Sequence, residues 1–283
     1  MPAMRLSPVE FTIATFLVSI TAGFLGALTG LGGGIVITPL LTLLFGVKIQ
    51  YAIGATLVSV IATSSGAAAA YVREGYSNIR VGMFLEIATT LGALAGAFLA
   101  SRIPASWIAI IFGIVLLQSA YVSGLQKAER STSAAGSRFG ALMKMNSSYP
   151  VGNGWQYYEV HNVPAGFAVM YVAGVLSGLL GIGSGALKVI GMDQAMKLPF
   201  KVSTTTSNFM IGVTAAASAG VYLHRGYIHP GLCMPVMLGV LVGATTGTRF
   251  LVRARVPVLR AIFGVVVAVL AVEMIYHGIT GGI

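Results

Sequence analysis

The sequence predicts an all-α integral membrane protein. It would consist of two homologous repeats of about five hydrophobic segments each, inverted relative to one another, with a broken helix at a glycine-rich motif in each. Three observations carry this prediction. The 283 residues are 56% hydrophobic and 8% charged, with a mean hydropathy of +0.88, far outside the range of a soluble domain. A charge-free run from Phe11 to Val47 contains the stretch Gly23-Phe-Leu-Gly-Ala-Leu-Thr-Gly-Leu-Gly-Gly-Gly34, followed by Thr38-Pro39. The stretch returns 151 residues later as Gly174-Val-Leu-Ser-Gly-Leu-Leu-Gly-Ile-Gly-Ser-Gly185.

The same shift of 151 residues places Tyr71–Tyr76 on Tyr222–Tyr227, Gly92 and Gly96 on Gly243 and Gly247, Arg102 on Arg253, and Phe112-Gly113 on Phe263-Gly264. One register without a gap marks an internal duplication. Within the first motif, Gly26 and Gly30 have the spacing that brings two helices close, whereas Gly32 to Gly34 followed by Pro39 read as a helix that stops part-way. A break in hydrocarbon must face protein or a water-filled cavity, because unpaired backbone groups cost several kcal/mol there.

At about 20 apolar residues per span, the first repeat (residues 1–125) divides into Phe11–Leu28, a short Ile35–Phe45, Tyr51–Val72, Val81–Ala100 and Ile103–Leu125. The second (residues 162–283) divides into Asn162–Leu180, a short Ala186–Met196, Val202–Leu223, Pro230–Phe250 and Val256–Tyr276. An odd number of reversals per repeat turns the second upside down. With the middle loop cytoplasmic and both termini outside, Arg73, Arg80, Lys127, Arg130, Arg138, Lys144, Lys188, Lys197, Lys201, Arg253, Arg255 and Arg260 fall inside. Arg5, Lys48, Arg102 and Arg225 fall outside, a twelve-to-four bias of the expected sign. The loop itself, residues 126–161, is polar, lacks a helical or strand period and reads as a solvated connection. The first apolar run is too long for a cleaved signal peptide.

The net charge of +10 does not indicate nucleic acid, since the basic residues stand singly at the ends of apolar runs rather than in a stripe. Cys233 is the lone cysteine, which excludes an internal disulfide and a multi-cysteine metal site. No nucleophile–base pair, nucleotide loop, metal-ligand set or cofactor motif is present; His224 and His229 flank a turn. The chain is not read as an enzyme.

Beside each glycine motif lies a segment rich in hydroxyls: Thr56, Ser59, Thr63, Ser64 and Ser65 in the first repeat, Ser203 to Asn208 in the second. Such groups either bond their own helix carbonyls or coordinate a small polar ligand. Half-helix N-termini carry unpaired N–H groups and partial positive charge, which favours an anion. The candidate ligand positions are Gly32, Gly33, Gly34, Thr38, Thr56 and Ser59 in the first repeat, and Gly183, Ser184, Gly185, Thr205, Thr206, Ser207 and Asn208 in the second. Lys188 would add a full charge if it stays in the membrane, or would reach the interface along its stem. Glu86 is an intramembrane carboxylate, suited to proton coupling or to a structural pairing; its counterpart under the shift is Met237.

Together, the Gly23–Gly34 stretch with Thr38-Pro39, Ala55-Thr56, the Glu74-Gly75-Tyr76 turn and the Gly174–Gly185 repeat resemble the TauE/SafE family of sulfite exporters. The resemblance covers nearly the whole chain except residues 126–161. It implies secondary transport of sulfite, an organosulfonate or a related sulfur-containing anion across the bacterial inner membrane, in contact with the lipid bilayer, and leaves homo-oligomerisation open. An anion channel on the same scaffold is the alternative. The chain departs from the pattern where Lys188 is followed by Val189 and Ile190 instead of Thr-Pro, which makes the two halves of the site unequal.

Overall fold

The charge-free runs fold as helices. A computed structural model describes residues 7–29, 34–73, 75–124, 137–151, 154–251 and 256–281. The elements in order are α1 (Pro8–Thr29), α2 (Gly34–Phe45), α3 (Ile49–Arg73), α4 (Ile79–Leu99), α5 (Ala105–Gly124), α6 (Arg138–Leu142), β1 (Ser147–Val151), β2 (Gly154–Tyr158), α7 (Val163–Leu180), α8 (Gly185–Ile190), α9 (Phe200–His224), α10 (Pro230–Leu251) and α11 (Val256–Thr280). The short second segment of the second repeat is a helix only to Ile190 and continues as a π-helical turn over Gly191–Ala195. Among the described residues four stretches, Pro8–Gly26, Ile79–Leu99, Val163–Leu180 and Pro230–Gly247, are long and apolar enough to cross a membrane. Shorter apolar helical stretches lie at Gly34–Phe45, Ile49–Ser65, Ala105–Tyr121 and Gly264–Thr280. Ile13 and Leu17 of α1, Met83, Ile87 and Leu91 of α4, and Val265, Val269 and Val272 of α11 are exposed, the apolar girdle that lipid would cover.

Apolar burial gives helices little mutual attraction in hydrocarbon, so close backbone approach must hold them together. Glycines supply it in two matching pairs. On α4, a Cβ at Gly92 or Gly96 would overlap the carbonyl oxygens of Tyr171 and Val175 on α7, while Gly174 and Gly178 of α7 face the carbonyls of Thr89 and Ala93. On α10, Gly239 and Gly243 meet the carbonyls of Phe16 and Ile20 on α1, and Gly23 of α1 meets that of Val240. Contacts advance together along both chains, so each pair is parallel.

Helices matched by the 151-residue shift meet instead in antiparallel pairs. Gly54 of α3 lies against Tyr227 just beyond α9, and Ser64 of α3 against Gly212 of α9. Gly113 of α5 lies against Ala271 and Ile275 of α11, and Gly278 of α11 against Ser106 and Ile110 of α5. At the far end, Arg225 donates to the carbonyl of Ala97 at 2.9 Å, closing the C-terminal end of α4.

The connection between repeats differs from the expected solvated loop. Its described part forms α6 and an antiparallel hairpin in which Tyr149 pairs with Gln156. These pieces are held by docking. Met145, Tyr149, Tyr158 and Val160 are buried in one cluster with Val81, Leu85 and Val163. Strands of five residues interrupted by Pro150 and flanked by glycine show too little alternation to be read as strands in isolation.

Candidate functional site

The start of α2 and the chain reversal before α8 meet at the centre of the molecule. At that reversal Gly181 and Gly183 take positive φ values of 70° and 69°, and Ser184 follows at 43°, a left-handed run that turns the chain back after α7. The Ser184 hydroxyl donates to the Ala173 carbonyl at 2.7 Å and fixes the turn to α7. A Cβ on Gly34 would press on Val60 and Thr56 and come within 3.7 Å of the Gly181 carbonyl oxygen. Gly183 and Gly185 sit beneath Ile211, and Gly183 also touches Val60. Thr56 and Val60 on α3 correspond under the shift to Ser207 and Ile211 on α9, so the first residues of α2 and α8 are lined by equivalent side chains.

The hydroxyls near this junction divide. Thr56 donates to the Ala52 carbonyl at 2.9 Å, and its oxygen lies 2.8 Å from that of Thr38, which ties α2 to α3. Ser207 reaches across to the Gly185 carbonyl at 3.2 Å. Ser59 bonds its own helix at the Ala55 carbonyl, 3.0 Å away. Thr205 donates to the Tyr76 carbonyl at 3.1 Å, and Thr206 accepts from the Asn78 backbone N–H at 3.0 Å. Those two threonines therefore hold the turn before α4. Asn208 is half-buried. Gly32 and Gly33 lie outside the described residues. The structure thus brings together Gly34, Thr38, Thr56, Gly183, Gly185 and Ser207, and directs Thr205 and Thr206 elsewhere.

Asn78 gathers several partners at that turn. Its side chain caps α4 by accepting from the Val81 N–H at 3.1 Å, and donates to the Met145 carbonyl at 2.8 Å and to the Tyr158 hydroxyl at 2.7 Å. Burial pushes the Tyr158 phenol up to about 12, so it remains a neutral acceptor for the amide.

Two charges lie inside the helix bundle. Lys188, one turn into α8, is fully buried and donates its ammonium hydrogen to Thr214 Oγ1 on α9. Thr214 in turn donates to Glu86 Oε1 on α4 at 2.7 Å, and Thr90 donates to the same oxygen at 3.2 Å. Glu86 Oε2 is buried with no hydrogen-bond partner among the described residues. The carboxyl group borders an open groove of about 530 Å³ on the outer face of α4 and α9, otherwise lined by Met83, Ile87, Thr90, Leu91, Phe209 and Val213, of which Met83, Ile87 and Leu91 belong to the exposed girdle. Desolvating one ion costs several kcal/mol, so this arrangement places a cation and an anion within mutual reach and joins them by one hydroxyl.

Lys188 is fully buried among the helices. Thr214 is the residue that sequence reasoning missed. Its signal was present: Ser207, Ile211 and Thr214 share one face of α9 at helical spacing, the face that covers α8.

Comparison with known proteins agrees with this architecture. The family profile for "Sulfite exporter TauE/SafE" matches residues 15–274. The chain belongs to the TauE/SafE sulfite exporter family. Its relatives include the "Probable membrane transporter protein YunE" of Bacillus subtilis (strain 168), 27% identical over 265 residues and covering 91% of this chain and 95% of that one. YdhB of the same organism, another "Probable membrane transporter protein", is 29% identical over 239 residues, 84% of this chain and 88% of its own. A "Probable membrane transporter protein" of Xylella fastidiosa (strain 9a5c) is 25% identical over 273 residues, 94% and 97% of the two chains. No solved structure matches significantly. As a TauE/SafE protein with these apolar helices, the molecule is a multi-pass bacterial membrane transporter.

Proposed function

We propose that this TauE/SafE protein is a secondary transporter that carries a small sulfur-containing anion, sulfite or an organosulfonate, across the bacterial inner membrane by alternating access. The two repeats are inverted, and they rock about the antiparallel α3–α9 and α5–α11 pairs. The anion binds between the start of α2 and the reversal before α8, with Thr38, Thr56 and Ser207 nearby and Lys188 supplying the charge. Glu86 carries the coupling proton.

The observation that supports this most is the fully buried Lys188 one turn beyond the second break. A cation stripped of water in the interior of a bundle is expensive, and its position one turn beyond the buried start of α8 suits an anion that must shed its own water. The hydroxyls there can bond such an anion, but none carries a charge to select it.

The test is a binding screen of the purified protein with sulfite, sulfate, thiosulfate and organosulfonates by calorimetry, repeated on Lys188→Gln. Saturable binding of at least one sulfur anion that is lost in Lys188→Gln is the expected result. Binding of none, or equal binding by the variant, contradicts the assignment.

A further inference from the structure

We propose that Thr214 is the residue that couples proton binding to anion binding, its hydroxyl transmitting the protonation state of Glu86 to Lys188. The inference rests on the transporter reading above and names how that site is controlled.

The geometry has three parts. Lys188 reaches Glu86 through Thr214 Oγ1, so the two charges are linked by a hydrogen-bonded bridge. Thr214 can hold both because a hydroxyl accepts on one side and donates on the other; the Met210 carbonyl, 2.9 Å away, is the alternative acceptor for its single hydrogen. Glu86 Oε2 has no partner among the described residues, which leaves one oxygen to take up a proton.

Two states follow. With Glu86 ionised, Thr214 donates to Oε1, the lysine charge is balanced and an added anion meets a neutral site. When a proton from water binds Oε2, the carboxyl becomes neutral and Thr214 turns its hydrogen toward Met210. Lys188 is left as an unbalanced cation for the anion. Deprotonation of Oε2 restores the balance and releases the anion. One proton therefore accompanies one negative charge, and no covalent bond forms or breaks.

Among the described residues Lys188 is the charged side chain that faces Glu86. Lys201 and His224 lie at the two ends of α9, and Arg80, at the start of α4, donates to the Lys144 carbonyl. Helix α7, packed along α4, presents backbone to it through Gly174 and Gly178, and its Tyr171 is exposed.

Thr214→Val deletes the bridge at nearly constant volume, Thr214→Ser keeps the hydroxyl, and Glu86→Gln removes the proton site. The probes are sulfite and methanesulfonate, the second because its charge is the same at acid and mildly alkaline pH. Above the titration midpoint of Glu86 in the free protein, wild-type affinity for methanesulfonate should fall by up to about tenfold per pH unit, the slope of one linked proton. Thr214→Val and Glu86→Gln should flatten that slope, and Thr214→Ser should keep it. A wild-type slope in Thr214→Val, or a flat one in Thr214→Ser, overturns the coupling role while leaving the transporter reading intact.

Infrared difference spectra read the bridge without any anion, using the carboxyl band that disappears in Glu86→Gln. Thr214→Val should move the titration midpoint of that band by about one pH unit or more, the equivalent of a hydrogen bond to a charged group. Thr214→Ser should leave it in place. An unmoved midpoint in Thr214→Val overturns the proposal even if no sulfur anion binds.

Discussion

Lys188, Thr214 and Glu86 occupy three positions whose counterparts under the 151-residue shift are Ile37, Thr63 and Met237. Thr214 bonds the Met210 carbonyl, and Thr63 bonds the equivalent Ser59 carbonyl at 3.0 Å. In the second repeat the hydroxyl also joins two charges; in the first, Thr63 bonds carbonyls of its own helix, and Ile37 is buried. The framework of the two halves is matched nonetheless, since glycine pairs lock α4 to α7 and α1 to α10 in the same manner. Among the described residues, backbone packing is thus duplicated while the buried pair of charges has no matching pair at the equivalent positions. Two equal charged junctions would double the desolvation cost without adding a second proton step to a single anion site.

The comparison can be tested by copying one half onto the other. Lys188→Ile installs the residue of the first repeat and strands Glu86, so stability should fall by about 3–5 kcal/mol, the usual cost of breaking a buried pair from one side. Adding Glu86→Met should recover most of it, because both charges are then gone, yet anion binding should not return. Melting of the single and double variants in detergent checks this, and a double variant no more stable than the single would show that the charges are not coupled.

Smaller but equal effects are expected where the halves agree. Gly92→Ala would overlap the Tyr171 carbonyl and Gly243→Ala that of Ile20; each should cost about 1–3 kcal/mol through overpacking. Melting temperatures that differ widely between the two variants would mean that the scaffold is less symmetric than its contacts suggest.

The hairpin adds a second asymmetry, since it latches the start of α4 through Asn78. Tyr158→Phe should cost about 1 kcal/mol. The phenol stays protonated to about pH 12 when folded and to about pH 10 in an unfolded chain. Its contribution is therefore complete below about pH 10 and is lost as pH rises from there through about 12. Tyr158→Phe should lack that part of the alkaline loss in a melt recorded against pH.

Least affected should be Thr63→Val, the counterpart of Thr214→Val. Thr63 bonds only carbonyls of its own helix, so a change within about 0.5 kcal/mol is expected, with the pH dependence of anion binding unaltered. A flattened pH profile in Thr63→Val would place coupling in both halves.

Much of this architecture was legible in the residues. Charge-free runs gave the helices, and the second glycine motif gave the reversal at Gly181 to Ser184, because both depend on local chemistry. The repeat was visible from a constant shift. The site was legible only in part. Thr206 lies in the hydroxyl-rich run, but its oxygen is committed to the Asn78 N–H, a contact across 128 residues that no local pattern announces. Thr214 stands apart from that run among alanines and glycine, and its importance comes from two side chains on other helices. The hairpin was illegible for the same reason: its strands are held by tertiary burial of Tyr149 and Tyr158 more than by alternation.

The central claim is coupled transport of a sulfur anion, and proteoliposomes under an imposed pH gradient test it most directly. With radiolabelled sulfite outside, wild-type vesicles should accumulate the anion above its equilibrium level and lose the excess when the gradient is collapsed. Flux that only runs downhill and stops at equal concentrations, whatever the gradient, would contradict it and assign the scaffold to a channel.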